Sequence, residues 1–162
     1  MKVKLKKMDE KAVTPFKKYD TDFCYDMVAV GEEEIAPNVW KYRLGLAMQV
    51  ERGIEELIKV KKHKEYFDFL FSEIKISIDI RPRISVWKTG MVLSNCIGTV
   101  DEDFTGEVSA VFYHVLPNMP RYKVGDRVCQ MKIGFTLPIE FEYVGELSET
   151  ERSDGGYGST GK

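Results

Sequence analysis

Four isoleucines, Ile74, Ile76, Ile78 and Ile80, alternate with Lys75, Ser77, Asp79 and Arg81. A helix would scatter them around its axis, whereas a strand puts all four on one face and the polar residues on the other. The same period of two recurs downstream. Val108, Ala110 and Phe112 line one face of 107–115, and Cys129, Met131, Ile133 and Phe135 line one face of 127–135. Ile139, Phe141 and Tyr143 alternate with Glu140 and Glu142 in a further strand pattern entered through Pro138. Turn signals fall between these runs, at 101–106, 117–120, 125–126 and Gly145. Short strands parted by turns predict an all-β sandwich, jelly roll or barrel. No internal repeat is present.

Two segments break the pattern. In 51–74, Ile54, Leu57, Ile58, Phe67, Leu70, Phe71 and Ile74 recur at helical spacing, with Lys59, Lys61, Lys62, Lys64 and Glu65 on the other face. That spacing predicts an amphipathic helix, broken near His63 and inserted among the strands. From Ser148 the chain runs SETERSDGGYGSTGK, which has no aliphatic residue and cannot form a core. The expected division is therefore a β domain over 1–147, with a helical insert around 52–73, and a mobile tail over 148–162.

At 162 residues the chain is the size of one domain, large enough to hold a core without disulfides or a structural metal. No apolar run approaches the ~18 residues of a membrane span. The lysine-rich start is followed by no apolar signal segment, so a cytoplasmic protein is expected, not a membrane protein. Cys24, Cys96 and Cys129 are odd in number and scattered, which suits reduced thiols. A net charge of −2 gives no general affinity for nucleic acid, so an anionic ligand must be met by local cations.

Local cations and carboxylates do occur in groups. The tail GGYGSTGK combines four glycines with Ser159 and Thr160, and Arg152 stands just upstream. Such a loop lets backbone N–H groups and hydroxyls close on phosphate oxygens while a guanidinium clamps them; the same composition also describes a disordered terminus. Gly156 to Lys162 matches a P-loop pattern, but the chain ends at Lys162, without the Ser/Thr and helix that motif needs. Residues 94–108 are expected to form a hairpin, a strand, a tight acidic turn and a return strand, with the carboxylates of Asp101, Glu102 and Asp103 crowded at its tip. One of them could act as a base on water, or the turn could be merely solvated. In 80–90, Arg81, Arg83, Ser85 and Lys88 suit a polyphosphate or blunt an edge strand. GDRVCQM (125–131) and YDTDFCYDM (19–27) are weaker signals alone. His63 lies on the charged helix face and His114 ends a strand with no nucleophile nearby, so neither suggests a triad.

In this order, five segments resemble the five motifs of the trimeric all-β dUTPase family: FCYDM (23–27), PRISVWKTG (82–90), NCIGTVDEDFTG (95–106), GDRVCQM (125–131) and RSDGGYGSTG (152–161). The opening strand is similar too, so the resemblance covers nearly all of the chain except about 51–73. It implies a distorted jelly-roll barrel assembled as a homotrimer, with Mg²⁺-dependent hydrolysis of dUTP to dUMP and pyrophosphate. That reaction would limit uracil in DNA and supply dUMP for dTMP synthesis. By resemblance, Asp101 activates the water that attacks the α-phosphorus. Asn95, Thr99 and Val100 belong to the segment that recognises uracil and deoxyribose, and Phe104 packs under the sugar. Arg83, Ser85 and Gln130 face the phosphates. Asp26 orders waters around a Mg²⁺ held mainly by the triphosphate. Arg152 meets the γ-phosphate, Tyr157 stacks on uracil, and Gly158, Ser159 and Thr160 close over the phosphates as a lid. Each site would draw on three subunits, with motifs one, two and four from one, motif three from a second and the tail from a third.

Three departures stand out. Ile84 separates Arg83 from Ser85, where the family places serine directly after arginine. Phe23 and Cys24 replace a small Ala-Gly pair, which threatens to crowd that turn. The apolar Phe67, Phe69, Leu70 and Phe71 of the insert either pack on the barrel or meet a protein partner. The partner reading carries the rival function, a non-catalytic or dual-function relative. The other rival, a dCTP deaminase of the same fold, needs a catalytic glutamate where Val111 stands.

Overall fold

The computed structural model describes residues 2–51 and 74–150. The expected helix at 52–73 and the tail residues from 151 lie outside them. Nine strands occur, with one 3-10 turn as the only helix among the described residues: β1 (Lys2–Lys7), β2 (Tyr25–Val28), β3 (Gly31–Ala36), β4 (Val39–Glu51), β5 (Lys75–Pro82), the 3-10 turn (Ile84–Lys88), β6 (Met91–Leu93), β7 (Gly98–Val100), β8 (Glu107–His114) and β9 (Arg127–Thr136). No helix among them is long and apolar enough to cross a membrane. All three cysteines are free thiols.

The strands form two antiparallel sheets. One has the order β1-β4-β8-β6, with β3 also on β4, and the other the order β2-β9-β5-β7. Strand β4 organises the first sheet. Along one edge it takes β3 at Val39–Arg43 and then β1 at Leu46–Glu51, while β8 occupies the other edge. Gly45 makes this possible. Its φ of +68° breaks the pleat between the two partners, and the register with β8 shifts there. The Glu107 carboxylate holds the break, accepting from the Gly45 N–H and from Arg43 Nε, both at 3.0 Å.

One core joins the sheets. Ile76, Ile78 and Ile80 on β5 and Val108, Ala110 and Phe112 on β8 are buried as the alternation predicts. Phe112, Tyr42 and Tyr122 meet edge to face, with ring centroids 5.5–6.1 Å apart. Each fully buried aromatic or aliphatic side chain stabilises by roughly 1.5–3 kcal/mol. The Tyr42 hydroxyl donates to the Tyr122 carbonyl at 2.9 Å, so the ring's polar end is satisfied inside the core.

Two expectations need correction. No strand forms at 138–143; Phe141 and Tyr143 are 89% and 104% exposed, and 137–150 runs on without ladder pairing. A strand needs a neighbour to bond, and none in the described chain covers this segment. Segment 94–108 is also no hairpin. β7 pairs with β5 and β8 with β4 and β6, so the acidic turn is a corner between the two sheets.

Candidate functional site

Asp26 is the one buried charged residue among the described residues. Its backbone is fixed on both sides: its N–H donates to Phe16 O at 2.8 Å, and across the sheet it stands opposite Gln130. Its carboxylate gathers three side chains. Arg83 donates from Nε to Oδ1 at 2.9 Å and from Nη2 to Oδ2 at 3.4 Å. Arg127 Nη1 donates to Oδ2 at 2.9 Å, and Gln130 Nε2 to Oδ1 at 3.3 Å. Arg83 Nη1 also donates to Ser85 Oγ at 3.2 Å. Two guanidiniums against one carboxylate leave a formal charge of +1 (1 + 1 − 1), beside a hydroxyl and an amide.

Local structure explains the gathering. β5 ends at Pro82, and Arg83 caps the 3-10 turn from extended backbone (φ −76°, ψ 152°), its carbonyl accepting the Val86 N–H. The turn throws Ile84 outward, 93% exposed, and brings Ser85 back beside Arg83. The extra residue in the motif thus leaves the hydroxyl next to the guanidinium. Phe23 likewise points out, with Lys132 Nζ 5.2 Å from its ring centroid, so it does not crowd the turn before Asp26.

Arg127 is the member that sequence reasoning missed. In a regular strand, 127 and 130 face opposite ways, because their separation is odd. The ladder between β2 and β9 pairs Met27 with Cys129 but Val28 with Arg127, so Val128 is the extra residue of a bulge. That bulge turns Arg127 to the side of Gln130 and leaves Val128 and Cys129 both fully buried. Burial, and then the negative charge of Asp26, push the Cys129 thiol up to about 12.

The second group lies elsewhere on the same sheet. Thr99 and Val100 are on β7, opposite Asp79 and Ile78 of β5. The corner then begins at Asp101, whose carbonyl accepts the Phe104 N–H at 3.2 Å. Asp101 and Thr99 line a cleft of about 710 Å³ with Gln49, Lys75, Ser77 and Thr136, and the neighbouring Glu102 and Asp103. Asp101 and Thr99 also border a smaller hollow of about 210 Å³ with Val100 and Phe104. The Phe104 ring lies so close to Gly106 that a Cβ there would sit 2.6 Å from its Cζ. Asn95 packs its amide against Gly98.

The structure thus brings Asp26, Arg83, Ser85 and Gln130 together, and Thr99, Val100, Asp101 and Phe104 around a second hollow, while Asn95 stands apart from that hollow against Gly98 at the start of β7. It does not join the two groups. Val100 stands opposite Ile78, five residues back along the chain from Arg83, and Asp101 lies one residue further on, so about 20 Å of extended chain separates them. Arg152, Tyr157, Gly158, Ser159 and Thr160 lie outside the described residues. His114 binds its Nε2 to the Met119 carbonyl at 3.0 Å and serves the loop after β8. As a site for a metal, the Asp26 cluster fits poorly: four N–H groups already occupy its two oxygens. Among the described residues no three His, Cys, Asp or Glu side chains are placed to hold an ion.

Fold and site together define an all-β, two-sheet protein with a cationic, hydroxyl-bearing end on one sheet and a carboxylate corner farther along it. A family model described as dUTPase matches residues 68–161. The deoxyuridine 5'-triphosphate nucleotidohydrolase of Nautilia profundicola is 30% identical over the whole of both chains. That of Finegoldia magna is 43% identical over 86 residues, covering 52% of this chain and 59% of its own. A Staphylococcus bacteriophage 80alpha dUTPase variant with dUpNHpp has the same fold, with a TM-score of 0.74 at 17% identity over 99% of both chains. The chain belongs to the dUTPase family.

Proposed function

We propose that the protein is a dUTP diphosphatase that hydrolyses dUTP to dUMP and pyrophosphate by attack of water on the α-phosphorus. The observation that carries this reading is the cluster of Arg83, Ser85 and Gln130 at the end of β5, with a separate carboxylate corner following β7, the neighbour of β5 in the same sheet. Such a displacement needs donors on the phosphate oxygens, a base on the water and exclusion of bulk solvent. Arg83, Ser85 and Gln130 supply the donors, and Asp101 orients the water and takes its proton. The segment from Asn95 to Val100 recognises uracil and sugar, with Phe104 packed under the deoxyribose. Arg152, Tyr157, Gly158, Ser159 and Thr160 close the site as a lid. Mg²⁺, held by the triphosphate oxygens, would neutralise charge on the phosphates.

The enzyme works as a homotrimer with shared sites. Reacting atoms must come within about 3–3.5 Å of each other, so a water held by Asp101 is out of reach of a phosphate held by Arg83 in the same chain. A second copy supplying the other half removes that gap. The exposed apolar residues from Leu137 to Leu147 support contact between copies, since patches left uncovered in one chain favour association.

The test is pyrophosphate release from dUTP, dTTP, UTP and dCTP with Mg²⁺, for the wild type and Asp101→Asn. Turnover of dUTP alone, lost in the variant while a nonhydrolysable dUTP analogue still binds, is the expected result. Equal turnover of dTTP or UTP, or full activity of the variant, would overturn the assignment.

A further inference from the structure

We infer that Arg127 is a positioning residue for Arg83, acting through Asp26, and that Asp26 serves this guanidinium pair and not a metal-bound water. The inference rests on the dUTP reading of the site. It begins with a count of bonds. An ionised carboxylate offers about four lone-pair positions on its two oxygens. Asp26 has four donors: Arg83 Nε (2.9 Å) and Gln130 Nε2 (3.3 Å) on Oδ1, and Arg127 Nη1 (2.9 Å) and Arg83 Nη2 (3.4 Å) on Oδ2. A metal-bound water could donate to this group only by displacing one of them.

The same count gives Arg83 its task. Of its five N–H groups, two reach Asp26 and one reaches Ser85, so 5 − 3 = 2 remain, one on each terminal nitrogen. Those two form the kind of edge that grips two oxygens of one phosphate. Their direction depends on how Asp26 holds the other side of the guanidinium. The long 3.4 Å contact on Oδ2 would not hold it alone, and the short bond on that oxygen comes from Arg127. Without Arg127, a largely buried carboxylate would lose its best donor on one side. Arg83 or Gln130 would then swing in to satisfy it, because an unpaired buried charge is costly. Either movement withdraws a donor from the phosphates. The Arg127 side chain is 42% exposed, so it is not a packing element of the core.

The experiment compares the wild type with Arg127→Gln, Arg127→Lys and Asp26→Asn. Affinity for α,β-imido-dUTP is measured by calorimetry with EDTA and with Mg²⁺, and deoxyuridine is measured as a competitive inhibitor. Arg127→Gln should weaken the imido analogue and kcat/KM for dUTP by about 10- to 100-fold, the scale of a charge-assisted hydrogen bond. The loss should appear with EDTA as well as with Mg²⁺, and the inhibition constant of deoxyuridine, which has no phosphate, should stay put. Arg127→Lys should recover most of it, because only one N–H of Arg127 is used. The Mg²⁺ concentration for half-maximal rate should not move in Arg127→Gln or Asp26→Asn. Equal weakening of deoxyuridine and the imido analogue would make Arg127 merely structural and overturn the inference. So would unchanged triphosphate affinity, or a shifted Mg²⁺ requirement in Asp26→Asn. Absence of dUTP turnover in the wild type would refute the enzyme reading instead, and is scored separately from the variants.

Discussion

Replacing Gly45 by alanine would show how much of the fold depends on the break in β4. At φ +68° a residue with a Cβ is strained by roughly 1–2 kcal/mol. The added methyl would also lie 2.9 Å from Val30 Cγ2 and 3.0 Å from the Cβ atoms of Ala12 and Asp9. None of these is the far end of a flexible side chain, so overpacking adds roughly 1–3 kcal/mol. The expected loss is about 2–5 kcal/mol, a large share of the ~5–15 kcal/mol that holds a domain together. Two other glycines separate the contributions. Gly125 has φ +92° with nothing within 4 Å of its Cβ position, so Gly125→Ala should cost the strain alone. Gly31 has no positive φ and would meet only the flexible Arg43 side chain at 3.5–3.6 Å, so Gly31→Ala should stay within about 0.5 kcal/mol of wild type. Urea unfolding followed by circular dichroism measures all three, at one fixed protein concentration because association shifts the midpoint. The midpoints should fall in the order wild type and Gly31→Ala, then Gly125→Ala, then Gly45→Ala. If Gly45→Ala matched Gly125→Ala the packing argument would fail, and if it matched Gly31→Ala the strain argument would fail too.

Stability should fall at alkaline pH. Burial raises the Cys129 thiol from 9.0 to about 12, so its contribution is complete below pH 9 and is lost as the pH climbs toward 12, at about 1.4 kcal/mol per unit. Urea titrations between pH 8 and 11 should show a steeper decline for the wild type than for Cys129→Ala, whose cavity cost is a constant offset. Tyr42→Phe should cost only about 1 kcal/mol, because Arg121 Nη1 still donates to the orphaned Tyr122 carbonyl at 3.2 Å. Tyr122→Phe should be neutral or stabilising by the same titration, since its buried hydroxyl has no hydrogen-bond partner among the described residues. An equimolar mixture of Asp101→Asn and Arg83→Gln chains, refolded together, should regain about a quarter of wild-type turnover if each site joins halves of different copies. A mixture with no activity would place both halves in one chain.

Strands whose two faces differ were legible. β5 and β8 alternate because one face meets the core and the other does not, so Ile76, Ile78, Ile80, Val108, Ala110 and Phe112 announce themselves. β4 was not legible. From Leu44 to Met48 every residue is buried, so there is no alternation to find, and Gly45 breaks the run further. The 139–143 pattern misled for the opposite reason. Its alternation describes a strand with an apolar face, but a face needs something to cover it, and no described part of the chain does so. Periodicity reports the faces of a segment, not the identity of its neighbour.

The site shows the same division more sharply. Motif order placed Asp26, Arg83, Ser85 and Gln130 in one reading, and the geometry puts them within hydrogen-bond reach of one another. Arg127 stands in the same motif, but regular strand parity would send it away from Gln130. Only the ladder reveals that Val128 is an extra residue that reverses that parity. Asp101 is the harder case. Its motif is intact, but its place opposite β5 sets it about 20 Å along the strand from Arg83, which no motif spacing expresses. A linear sequence orders the parts of a site along one chain, and it carries no mark of which parts meet across copies. The register fixes how far apart two motifs must stay within one chain, and that separation is what the proposed sharing of a site between copies rests on.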